Sequence, residues 1–230
     1  MTGYRLGINT CFAVKRWPQP ERWARLVRDE LELDLVQHSL DLVDLDAPPA
    51  AVEDQAARLR AACAYAGLTL HSTFTGLAAY SANLLLHPDQ AARDRARGWY
   101  RRVIGFTADP AHVPVLLCLD VGHQCVPGTA GPDRDPYAWL ERFGARAPVV
   151  QLQQTDGTAD HHSPFTLETN AAGIIEPAEV LAALDRSGAA DTALILEIIP
   201  PFEQDDDQVL EDLRQSAAYW RAALRHHAGG

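Results

Sequence analysis

A chain of 230 residues, 47% hydrophobic and 22% charged, is long enough for one domain with a sizeable core. Its formal net charge of −11 argues against a duplex nucleic-acid surface, because phosphate contacts need a clustered basic face. Lys15 is the single lysine in the chain, so Schiff-base chemistry has one candidate amine and is otherwise closed.

In chain order, short apolar strands alternate with amphipathic helical stretches, the pattern of βα units on a parallel sheet. A strand over residues 4–12 precedes a helix that opens at Pro20 and carries Trp23, Leu26 and Val27 at helical spacing. A strand over 33–42 and a helix over 50–66 follow, with Gly67 ending the helix and admitting a strand over 68–74. Pro88 opens a long arginine-rich helix over 89–106, and a strongly apolar strand covers 113–120. Asp135-Pro136 reads as an N-cap with a first-turn proline for a short helix ending at Gly144. A strand over 149–155, a helix over 177–187 closed by Gly188, and a strand over 194–199 come next. The last helix starts in Asp205, Asp206 and Asp207 and ends in Arg225, His226 and His227, a charge order that complements its dipole. Six strands are expected, in one domain spanning 1–230.

The first strand runs into Asn9-Thr10-Cys11-Phe12 with no glycine-rich loop, and no P-loop is present, which speaks against a nucleotide-binding open sheet. Polar residues recur instead at many strand ends: Asn9, His38, His71, Asp120, His123, Gln151, Gln153 and Glu197. A barrel builds its site in this way, one group per strand on a common face. No GxSxG elbow is present, and the cysteines (Cys11, Cys63, Cys118, Cys125) have no local basic partner to activate a thiolate and form no CxxC pair. No basic, apolar signal region follows Met1 and no apolar run nears the ~20 residues that span a bilayer, so a cytoplasmic protein with reduced thiols is expected, with no membrane partner.

In Leu117-Cys118-Leu119-Asp120-Val121-Gly122-His123, an apolar strand delivers a carboxylate to the sheet end, and Gly122 permits a tight turn that returns an imidazole over it. The pair reads as a metal ligand and a substrate-facing group, or as a helix cap and a loop histidine. Glu197 lies inside Leu194-Ile195-Leu196-Glu197-Ile198-Ile199, where a carboxylate is costly unless paired, protonated or metal-bound. Gln151 and Gln153 share one strand face, and read equally as amide-oxygen ligands or as partners for sugar hydroxyls. Asp160-His161-His162-Ser163-Pro164-Phe165 is either a solvated loop or part of a metal or sugar site, and His71 either faces that site or does not. His38 reads as a satisfied barrel histidine.

Taken in order, His71-Ser72-Thr73, Cys118 to His123, Asp160-His161-His162, Asn170 to Ile175 and Leu196-Glu197 resemble the xylose-isomerase-like TIM-barrel superfamily. That superfamily includes sugar phosphate isomerases, ketose 3-epimerases and endonuclease IV. The segments around His71 and Gln153 resemble a branch acting on erythrulose phosphates. The resemblance implies a divalent metal (Mn²⁺, Mg²⁺ or Co²⁺) held by Asp120, Gln151 and Glu197, with Gln151 standing where the family normally has histidine. It also implies Glu197 and His123 as catalytic groups, and His71, Gln153 and His162 as substrate-binding ones. The family's strand-four and strand-five segments, including a glutamate, have no counterpart between Phe106 and Pro114, so the barrel is expected to lack about two βα units and to be open or distorted, its free edges able to pair with a second copy.

The implied activity is metal-dependent isomerisation or epimerisation of a small ketose or ketose phosphate through an enediol, weakened by the missing glutamate. Shuttling a proton on one enediol face needs one base, whereas inversion at a carbon needs a group on each face. A non-catalytic relative that binds a carbohydrate or partner is the alternative reading. A DNA-repair endonuclease is a third, disfavoured by the acidic balance.

Overall fold

Alternation with a period of two sorts each strand's residues between the two faces of the sheet. The computed structural model describes residues 3–76, 84–107 and 117–229. Its strands are β1 (Arg5–Asn9), β2 (Leu35–Ser39), β3 (Thr69–Phe74), β4 (Cys118–Asp120), β5 (Val149–Leu152) and β6 (Ala193–Leu196). The helices are α1 (Pro20–Arg25), α2 (Pro49–Ala66), α3 (Gln90–Thr107), α4 (Pro136–Phe143), α5 (Leu167–Ala172), α6 (Pro177–Ser187) and α7 (Asp206–Gly229). All six strands are parallel, in the order β3-β2-β1-β6-β5-β4.

The helix ends follow the local chemistry. Asp135 caps α4 by accepting from the Tyr137 N–H, with Pro136 in the first turn. Gly67 and Gly188 close α2 and α6 with φ of 67° and 80°, a left-handed geometry that costs glycine little. α5 was not anticipated. It is a short polar turn started by a capping box between Thr166 and Thr169, with no buried residue to give it a periodicity. The strands are shorter than the apolar runs that predict them. Positions 113–116 of the expected fourth strand, and the expected gap at 108–112, lie outside the described residues, as do positions 77–83.

The outward faces (Ile8, Val36, Val150, Leu194, Leu196) pack against Trp23, Val27, Leu59, Val180, Leu184, Leu213 and Trp220 from the helices. The inward faces start with a small apolar layer of Leu35, Val149, Ala193 and Ile195. Two residues further along the same strands, the inward positions become Gln37, Gln151 and Glu197, all buried. Gln151 Nε2 donates to Gln37 Oε1 at 2.8 Å, although β1 and β6 stand between their strands. In a flat sheet those strands would be about 14 Å apart, so the sheet is strongly curled. β3 and β4 form its two edges, and no pairing joins them among the described residues. Among the described residues the fold is an incomplete (β/α) barrel of six strands, as expected.

Candidate metal centre

The concave side carries a cluster at the C-terminal ends of β4, β5 and β6. Ligand atoms of Asp120, His123, His162 and Glu197 all lie within 4.8 Å of one another. Glu197 follows β6, and its N–H donates to Leu152 O at 2.8 Å, which fixes the carboxylate at the barrel floor. Its Oε1 accepts from Gln151 Nε2 at 2.9 Å and Asn9 Nδ2 at 3.4 Å, whereas Oε2 accepts no hydrogen bond from the described residues.

Asp120 ends β4. Its Oδ1 closes the following turn by accepting from the N–H groups of Gly122 at 2.6 Å and His123 at 3.0 Å, and Gln153 Nε2 donates to it at 3.0 Å. Asp120 Oδ2 accepts no hydrogen bond from the described residues. The Gly122 backbone is not in the left-handed region, so glycine is needed there for a reason other than turn geometry: a β-carbon would collide with the Gln153 side chain.

His162 arrives on the loop after β5. A two-way backbone pairing of Gln154 with Ser163 and a bond from Ile199 N to His162 O hold that loop. The His162 backbone is left-handed at φ 48°, uncommon for a non-glycine residue and supported here by its N–H donating to Gln153 Oε1 at 2.7 Å. Its Nδ1 sits 3.5 Å from Glu197 Oε2, and its Nε2 lies 3.3 Å from His123 Nε2. Asp160 faces both rings, with Oδ1 3.4 Å from His162 Nε2 and Oδ2 3.4 Å from His123 Nε2.

Side-chain exposure rises from 0% at Glu197 through 11% at His162 to 34% at His123, so the cluster runs from floor to mouth. The cavity above it holds about 360 Å³ and is lined by Phe74, His123, Asp160, His161, His162, Glu197 and Ile199. No lysine or arginine is among these lining residues, and Lys15 rests outside with Nζ 4.0 Å from the centre of the Phe202 ring.

The charges are badly balanced for a site without a cation. Burial, then the Asp120 charge, push the Glu197 carboxyl well above the usual carboxylate range. Burial alone would lower the His162 pKa, yet the Asp160 hydrogen bond and the charges of Glu197, Asp120 and Asp160 lift it to about 9. Burial works against ionisation of Asp160 too, but bonds from His162 and Gln153 and the nearby imidazoles hold it down at about 2. Two unpartnered carboxylate oxygens converging with two imidazoles are a donor set that suits a divalent ion.

Of the residues expected at a site, Asp120, His123, Gln153, His162 and Glu197 are brought together. Gln151 lies beside Glu197, with its amide nitrogen toward the carboxylate. His71 does not line the cavity. Its ring meets Ser72 Oγ at 3.2 Å, and it feels the charges of Arg5 and Asp191. His38, expected to be satisfied, is only half so: Nδ1 meets Thr10 Oγ1 at 3.2 Å, but Nε2 is buried without a partner. Burial drives the thiols of Cys63 and Cys125 up to about 11, which leaves them poor nucleophiles. Asn9 and Gln37 complete the floor. Their signal in the sequence was inward strand register, since Asn9 pairs with Gln37 across β1 and β2.

A crystal structure of a protein from Rhodospirillum rubrum described as a xylose isomerase superposes with a TM-score of 0.79, covering 96% of this chain and 99% of that one at 27% identity. In fold the chain is similar to the xylose-isomerase-like TIM-barrel superfamily. Within that superfamily, an L-ribulose 3-epimerase structure matches at a TM-score of 0.54 and 14% identity, over 98% of this chain and 97% of that one. A xylose isomerase domain-containing protein of Salmonella typhimurium gives 0.53 and 14%, over 94% and 97% of the two chains. In sequence, 115 residues are 31% identical to D-erythrulose 1-phosphate 3-epimerase of Brucella abortus strain 2308, half of this chain but 37% of that relative's length. No protein-family model matches the chain. None of the helices among the described residues is long and apolar enough to cross a membrane.

Proposed function

We propose that the protein is a divalent-metal-dependent isomerase or epimerase of a small ketose or ketose phosphate, acting in the cytoplasm. One observation carries the reading: Glu197 Oε2 and Asp120 Oδ2, both buried and without a hydrogen-bond partner among the described residues, converge with His123 and His162 at the floor of an open cavity. The relatives that handle ketoses and a ketose phosphate support the substrate class.

In this reading Asp120, Glu197 and His162 would hold the ion, with Mn²⁺, Mg²⁺ and Co²⁺ as candidates, and His123 lies beside them toward the cavity mouth. Bound there, the ion supplies Lewis acidity to the carbonyl and hydroxyl oxygens of a ketose, which acidifies the C–H between them. Gln151 and Gln153 serve the ligands: Gln151 holds Glu197, and Gln153 holds Asp120 and Asp160 in place. His123, backed by the Asp160 carboxylate, is placed to carry a proton at the cavity mouth. The Glu197 carboxylate is the other candidate proton carrier. Isomerisation on one enediol face needs one of these groups, and epimerisation needs both.

The test is metal content after purification, then turnover of ketose phosphates and free ketoses by wild type and Glu197→Gln. Bound metal, turnover and its loss in Glu197→Gln support the proposal. A metal-free protein whose weak turnover ignores Glu197→Gln would falsify it and favour a carbohydrate-binding relative without turnover. Solvent deuterium incorporation and product analysis separate isomerisation from epimerisation.

A further inference from the structure

Strands β1, β2 and β5 and the residue just after β6 each give one side chain to a closed ring on the barrel floor. Gln37 Oε1 accepts from Asn9 Nδ2 and from Gln151 Nε2, each at 2.8 Å. The same two amide nitrogens also donate to Glu197 Oε1, at 3.4 Å from Asn9 and 2.9 Å from Gln151. An amide nitrogen carries two hydrogens in a fixed planar fork. Once one hydrogen of each amide is committed to Gln37, the other is aimed at Glu197.

Gln37 is itself held from behind. Its Nε2 donates to Ser72 Oγ on β3 at 3.2 Å, which turns its oxygen toward the ring. Asn9 is fixed likewise, since its Oδ1 accepts from the Cys11 N–H at 2.9 Å. Gln37 is buried and lines no part of the cavity, so it acts on the site only through Asn9 and Gln151.

We infer that Gln37 is a positioning residue for the Glu197 carboxylate. The ring occupies Oε1 with two donors and leaves Oε2, 3.5 Å from His162 Nδ1, as the oxygen that Glu197 would offer a cation. This rests on the proposed metal site. Groups that orient a ligand in this way typically govern metal affinity by 10–100-fold. A floor that merely satisfied buried amides would affect stability alone.

The experiment titrates wild type, Gln37→Met and Gln37→Glu with Mn²⁺ by calorimetry. Gln37→Met keeps the length but removes the acceptor, and is expected to bind Mn²⁺ about tenfold or more weakly while still melting cooperatively. Gln37→Glu keeps an acceptor for both amides and is expected to bind at least as well as wild type. Wild-type affinity in a folded Gln37→Met overturns the inference, as does an equal loss in both variants. If Gln37→Met does not fold, Gln37→Glu decides: affinity at or above wild type upholds the inference and a tenfold loss overturns it. If wild type binds no Mn²⁺, the metal reading has failed, and the ring is then tested by the ¹⁵N side-chain amide signals of Asn9 and Gln151. Both shift on substitution of Gln37 if it holds them, and unmoved signals overturn the ring.

Discussion

The Gln153 side chain fills the space that a β-carbon on Gly122 would need. The contact matters because Gln153 spans the site: its nitrogen donates to Asp120 Oδ1 at 3.0 Å and Asp160 Oδ1 at 2.9 Å, and its oxygen accepts from the His162 N–H. Gly122→Ala is therefore expected to cost about 1–3 kcal/mol, the usual range for overpacking. Urea unfolding would measure it, and an unchanged midpoint would show that Gln153 moves aside freely.

Gln153→Leu should act on metal binding more than on fold. It strips one donor from each of two carboxylates and the acceptor from the left-handed His162 turn. A loss of about 10–100-fold in Mn²⁺ affinity is expected, read by calorimetry. Affinity within twofold of wild type would mean that Asp120 and His162 are held well enough without it.

His38 gives the chain an acid-sensitive element. It is stacked between Trp23 and Phe106, with ring centroids at 5.9 Å and 6.3 Å, and burial lowers its pKa to about 4. Between about 6.5 and about 4 the unfolded chain binds a proton that the folded chain refuses, so stability falls as pH drops through that window. The contribution is on the order of 3 kcal/mol. His38→Phe should flatten this part of the stability profile, and thermal melts of both proteins from pH 7 to pH 4 check it. Parallel profiles would assign the acid sensitivity elsewhere.

Trp220 anchors α7 to the rest of the fold. It is fully buried and meets Phe165 edge-on, with centroids 5.4 Å apart. Trp220→Ala is expected to destabilise by about 3–5 kcal/mol, as large-to-small core changes do. A loss below about 1 kcal/mol by denaturant titration would mean that the cavity refills.

Much of the architecture was legible because it is local. Gly67, Gly188 and the Asp135-Pro136 pair mark helix ends through backbone chemistry that needs no distant partner. Apolar runs bounded by such signals predict six strands, and six are present among the described residues. Asp120 and Glu197 stood out as carboxylates delivered by apolar strands, where an unpaired charge is costly. α5 was not legible, since it buries nothing and its cap is made by two threonines.

The sequence by itself determined which residues face inward, because strand alternation is a property of the backbone. It could not determine which inward residues meet. That was decided by the curl of the sheet, which brings Gln37 and Gln151 into contact across two intervening strands and closes the ring on Glu197. The same holds for His123 and His162, 39 positions apart in the chain, and for His71, which lies within β3 and off the cavity. Long-range partners depend on the curvature and loop paths of the folded chain, and no local spacing encodes those distances.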